Sequence, residues 1–286
     1  MTLNDVLKIK AINAWRLFWL ITGPISIAMI AAMTGADLST GEGISSMIQL
    51  SVRCAVPLLY LAFAASSLQI LFPGPFSRWL LRNRKYLGLC FAAAMAWQGF
   101  FILWLVTIYS DYYVNEVYVL RDAIEGVLGY LFLTAMTLTS FRFARRHMQP
   151  KQWKLLHKSG IYFLWAYAFS VYWWNLFYYQ EPVWLDYIYY WSGFLAWAMR
   201  AAAWGKKRGG IKDTALAVKL LGGALVVCAL VAACTGSVWL ESAEDLLMPT
   251  VFLAGLELWL PYWPFTPFLP LFVLGLGIYL ITSVTE

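Results

Sequence analysis

The sequence predicts an all-α fold, a polytopic transmembrane helical bundle of about eight helices. Three observations carry that prediction. Hydrophobic residues make up 62% of the 286-residue chain and charged residues only 13%, and the mean hydropathy is +0.66, outside ordinary soluble composition. The apolar residues fall in runs of about 20 or more, the length that crosses roughly 30 Å of hydrocarbon at about 1.5 Å per residue. The connections between the runs alternate in sign, as expected of a chain that threads a membrane repeatedly.

The runs cover about 13–33, 47–72, 87–109, 120–141, 159–179, 184–203, 216–235 and 248–281. The first starts near Ala14 as AWRLFWLITGPISIAMIAAM, with no A-x-A-like site ahead of it. It is expected to be a retained span with no soluble domain before it, rather than a removed signal. Lys8, Lys10 and Arg16 mark its start, and Asp37 and Glu42 separate it from the second run. Arg78, Arg82, Arg84 and Lys85 introduce the third run, and Asp111 and Glu116 follow it. The fourth ends at the basic stretch from Arg142 to Lys158; Glu181 and Asp186 lie between the fifth and sixth. Basic residues from Arg200 to Lys212 precede the seventh, and Glu241, Glu244 and Asp245 follow it. The eighth stretch is too long for one straight helix, and Pro261, Pro264, Pro267 and Pro270 divide it into a kinked helix, a re-entrant hairpin or two short spans. With eight crossings the positive-inside rule puts both termini in the cytoplasm; a ninth would move only the C-terminus. No repeat or linker is evident, so residues 1–286 are expected to form a single integral membrane domain.

Tryptophan and tyrosine crowd the ends of spans at 108–118, 178–191 and 257–263. Rings with one polar edge favour the headgroup layer, so anchoring is the expected role, although such crowding also suits a quinone or another planar ligand. Cys54, Cys90, Cys228 and Cys234 show no CxxC or CxxCH spacing, which argues against haem c and iron–sulphur sites. They are expected to be buried small hydrophobes. The small-residue patches at 92–94, 201–203 and 221–225 are expected to let helices approach closely.

Only two histidines occur, His147 and His157. A bis-imidazole haem needs an inward histidine on each of two packed helices, and these two lie in one basic stretch. Charges within apolar runs, Arg53, Glu125 and Glu257, with Arg121 and Asp122 near the fourth span, are costly in hydrocarbon and face protein or water. Arg53 is expected to pair with one of the carboxylates; a polar pocket for a headgroup, quinone or proton is the functional alternative. The stretch RFARRHMQPKQWKLLHK suits anionic lipid or an acidic partner surface. Neither a nucleic-acid-binding fold nor a nucleotide-binding glycine motif is present, so nucleic-acid binding and intrinsic NADPH oxidation are not expected.

Two segments carry a family resemblance: RKYLGLCFAAAMAWQG at 84–99, and TSFRFARRHMQPKQWKLLHKSGIYFLW at 139–165 with Trp153, Leu156, His157 and Tyr162. Together they resemble the transmembrane domain of the ferric reductase superfamily, within it the small bacterial haem-containing, quinone-binding membrane subunits that serve periplasmic methionine sulfoxide reductase. The resemblance covers roughly 45–180 as the core, leaving 181–286 as additional transmembrane helices, and Arg53 lies where such relatives often carry an arginine. It implies a bacterial inner-membrane location. The positions matching the haem-ligating histidines hold Gln98 and either Val171 or Tyr172, while His157 matches a retained histidine. Candidate cofactor-binding residues are therefore His157, Gln98, Tyr172 and Arg53, with no catalytic or metal-binding residue expected. The resulting expectation is a haem-less scaffold that binds membrane protein subunits and lipids; a quinone-linked haem b electron-transfer subunit is the alternative.

Overall fold

The computed structural model describes residues 3–179, 182–208, 216–247 and 265–282. Among them the chain is helical and contains no strand. The principal helices are α1 (Ala14–Gly35), α2 (Gly41–Leu71), α3 (Pro75–Ile108), α4 (Leu120–Thr139), α5 (Pro150–Phe177), α6 (Trp184–Arg208), α7 (Leu216–Cys234), α8 (Gly236–Leu247) and α9 (Leu269–Thr282). Four of them, α1, α2, α3 and α7, are long and apolar enough to cross a membrane. Residues 248–264, including Glu257, Pro261, Pro264 and the 257–263 aromatic cluster, lie outside the described residues, as does Glu181. Pro267 falls in a single 3-10 turn and Pro270 in the first turn of α9, where a missing N–H breaks no helical bond.

Several helices begin well outside the apolar runs. Hydropathy marks only the part suited to hydrocarbon, whereas Leu, Arg and Lys continue a helix readily beyond it. Thus α3 starts at Pro75, where Ser77 Oγ accepts a hydrogen bond from the Gly74 N–H (2.9 Å) and donates one to Gly74 O (3.2 Å). The same basic residues that set the sign of the loop therefore form the first turns of the helix.

The chain divides into two compact units, one holding the residues up to Ala65 with Gly74–Trp165, the other Ser66–Pro73 with the residues from Ala166 onward. Helices α2 and α5 contribute to both. In the first unit, Met29, Ile44, Met47, Phe101 and Leu105 form a buried cluster among α1, α2 and α3, with Trp97, Trp104, Tyr109 and Tyr112 packed around it. Tyr109 donates its hydroxyl to Leu38 O (2.8 Å), and a Cβ on Gly41 would run into the Tyr112 ring. The acidic connection after α1 and the acidic segment after α3 thus meet at one end of this unit.

At the opposite end the basic segments gather around Asn83, which is 1% exposed. Its Oδ1 accepts the Ala14 N–H (2.9 Å), and its Nδ2 donates to Asn13 Oδ1 (2.9 Å) and Trp79 O (3.1 Å). Arg82 donates to Asn13 Oδ1 (2.8 Å) and Leu7 O (3.0 Å), and Trp79 Nε1 to Ile12 O (3.0 Å). Asn83 caps α1 from another helix, because Asn13 at the ordinary cap position turns its amide back to the carbonyls of Leu7 and Ile9. The interaction holds Ala14 at φ 57°, a left-handed conformation unusual for a residue with a Cβ.

In the second unit α7 packs along α9 through glycine. A Cβ on Gly222 would lie 2.9 Å from Gly277 O, and one on Gly277 would lie 2.8 Å from Gly222 O. The 221–225 patch therefore builds the protein's own packing, with Ala229 and Ala233 buried on the same helix. Tyr190 of α6 donates to Ala233 O (2.8 Å), Trp173 packs against Trp174, Phe177 and Trp239, and Lys206 donates to Ile70 O (2.8 Å). The cysteines depart from expectation. Cys90 alone is buried, Cys54 is half-buried, and Cys228 and Cys234 are exposed, because α7 is apolar all round and only its small-residue face is covered.

The contrast between neighbouring glycines is testable. Gly222→Ala drives a methyl into backbone and is expected to destabilise by about 1–3 kcal/mol. Gly223 has nothing within 4 Å of its missing Cβ, and Gly223→Ala is expected to be neutral or stabilising by up to about 1 kcal/mol. Thermal unfolding of the two variants in one detergent checks both signs.

Candidate functional site

Helix α3 brings Gln98 against α4, where the Tyr130 hydroxyl lies 2.8 Å from Gln98 Oε1 and 3.1 Å from Met95 O. A hydroxyl shared between two acceptors leaves the glutamine oxygen engaged and the ring seated beside Gly99, whose missing Cβ would lie 3.4 Å from it. Gln98 is half-buried. Nothing near position 98 in the sequence marks Tyr130 as its partner.

His157 lies on α5 just ahead of the apolar run that begins near 159, and its Nε2 is 3.0 Å from Thr139 Oγ1 at the end of α4. The Thr139 hydroxyl has one proton and a 2.6 Å contact to Ala135 O. With that proton directed to Ala135, the imidazole carries its own proton on Nε2 and donates to the threonine oxygen. The Trp153 ring sits 4.4 Å from the imidazole, donates Nε1 to Thr139 O (3.1 Å) and receives the Arg145 guanidinium on its face at 4.4 Å. Burial, reinforced by the positive charges of Arg84 and Arg145, pulls the His157 pKa down to about 4. The imidazole is therefore neutral near pH 7 and serves as the latch between α4 and the start of α5.

Arg53 is half-buried on α2 and Glu125 is 5% exposed on α4; both are engaged within the protein. Tyr172 belongs to the second unit, buried at 4% exposure and edge-on to Tyr189 at 4.9 Å. Val171 is 38% exposed. His147 is exposed and accepts from Arg146 Nε at 3.1 Å.

Gln98 and His157 do not fit an iron between them. They meet α4 at Tyr130 and Thr139, nine positions apart (139 − 130 = 9), which is about 13 Å along a helix axis. Two ligands on one metal, each at about 2 Å, need donors several times closer. The His157 Nε2 is taken up by Thr139, and the Trp153 indole packs against the ring. Among the described residues no group of three or more His, Cys, Asp and Glu side chains is placed to hold a metal ion. Gln98 and His157 instead make hydrogen bonds between helices.

No protein-family model, curated protein or solved structure matches this chain. The four apolar helices, and the sorting of basic and acidic segments to opposite ends of the first unit, therefore rest on the chain's own physical chemistry.

The His157 latch sets a pH dependence with a definite sign. A histidine whose folded pKa is lowered binds protons more readily when unfolded, so stability is full above about pH 6.5 and falls as the pH drops toward about 4. Wild type is expected to melt above His157→Gln at pH 7.5, with the difference shrinking at pH 5. Melting temperatures of both proteins at the two values check this, and a pH-independent difference would contradict it.

Proposed function

We propose that the chain is a haem-less, ferric-reductase-like protein of the bacterial inner membrane, with a cytoplasmic N-terminus, acting as a structural or binding subunit of a membrane assembly. The observation that carries this reading is the engagement of Gln98 by Tyr130 and of His157 by Thr139, which uses candidate ligand atoms as links between helices. Such links preserve a bundle without redox chemistry of its own. The eight-crossing topology draws support from the first unit, where basic segments collect at one end and acidic segments at the other. Exposed apolar side chains along α1, among them Trp19, Leu20, Ile27 and Ile30, offer surface for lipid or another membrane helix.

The test is quantitative native purification of the full chain from its own membranes in a mild detergent. One membrane protein is expected to copurify in near-stoichiometric amount. A chain that purifies alone, or that brings a tightly held quinone or haem in place of a protein, would favour the electron-transfer reading or remove the subunit role.

A further inference from the structure

Three elements of the first unit converge on a notch of rings and cations at its basic end. Trp15, one residue into α1, lies 5.5 Å edge-on from Tyr86 of α3 and stacks at 6.1 Å on Phe141, just past α4. The Lys85 ammonium stands over two of these rings, 5.4 Å from Phe141 and 5.9 Å from Tyr86. Arg16 and Arg142, next in the chain to Trp15 and Phe141, are both exposed. Among the described residues the contacts of Lys85 are with rings and not with carboxylates.

Carboxylates are scarce around this end for a sequence reason. No Asp or Glu occurs between Asp5 and Asp37, between Glu42 and Asp111, or between Glu125 and Glu181. The positive field of the notch is therefore not neutralised by its own elements. Its rings are also open to the outside: Trp15 is 45% exposed, and Trp19, one turn further along α1, is 68% exposed. The notch thus opens onto the apolar outer face of α1.

We propose that this notch binds the headgroup phosphate of an anionic phospholipid, with Lys85, Arg16 and Arg142 holding the phosphate and Trp15 and Trp19 flanking the start of an acyl chain. Charge at the mouth and an apolar stripe below it match the two ends of a lipid. An acidic protein surface uses the charge but not the stripe.

The experiment is native mass spectrometry of the detergent-purified full chain titrated with phosphatidylglycerol or phosphatidylcholine, with and without millimolar inorganic phosphate. Wild type is expected to take up phosphatidylglycerol in preference and to keep it when inorganic phosphate is added. Removing two basic charges in Lys85→Gln/Arg142→Gln is expected to weaken that binding about thirty-fold. Lys151→Gln/Lys154→Gln, an equal charge change elsewhere in the basic stretch, is expected to leave it unchanged. Equal affinity for the two lipids, displacement by inorganic phosphate, equal loss in both double variants, or displacement of the lipid by a copurifying acidic protein would each overturn the proposal. The preference of wild type between the two lipids reads the site even where a variant does not fold.

Discussion

Polar side chains surrounded by apolar helices have little water to turn to, and in the first unit several find their partners inside the chain. This constraint explains the way the first unit is built. Asn83 satisfies its amide on both sides while capping α1 from α3. Tyr130 ties α4 to α3 through Gln98, and Thr139 ties α4 to α5 through His157. Single interhelical hydrogen bonds in membranes contribute about 0.6 kcal/mol on average and up to about 1.7 kcal/mol. They are too weak individually to hold the bundle, but they are directional and fix which helix faces which. Packing of side chains such as Met29, Phe101 and Leu105 supplies the bulk of the cohesion.

The same constraint bears on chemistry. A metal or haem site is assembled from polar side chains left free to converge, and here Gln98 and His157 each have a partner on α4. Gln98 and His157 meet α4 at different levels, each with its own partner. The low pKa of His157 follows from burial and neighbouring guanidinium charge and keeps the ring in the form that bridges two helices. The same hydrogen bonds that hold Gln98 and His157 thus also fix which helices face each other.

Much of the fold was legible because hydrocarbon imposes a length and loops impose a sign. The runs at 13–33, 47–72, 87–109 and 216–235 correspond to α1, α2, α3 and α7, within the limits set by helices that continue into basic segments. Even Pro24 and Pro57 do not interrupt their helices. Long-range pairings were not legible. Tyr130 lies 32 residues from Gln98 and Asn83 lies 69 residues from Ala14, and no local pattern marks either pair. The reach of Gly222 to Gly277 was visible only as a small-residue patch, and the exposure of Cys228 and Cys234 was hidden because an all-apolar helix gives no sign of which face is covered.

The proposed haem-less reading rests on Gln98 and His157 serving as links between helices. The most direct test is an ultraviolet–visible spectrum of gently purified native protein, oxidised and then dithionite-reduced, with haem quantified per chain. The expected result is folded protein with no Soret band and haem far below one per chain. A near-stoichiometric haem with a reducible Soret band would contradict the claim and require His157, or a ligand from a partner, to leave the contacts described above.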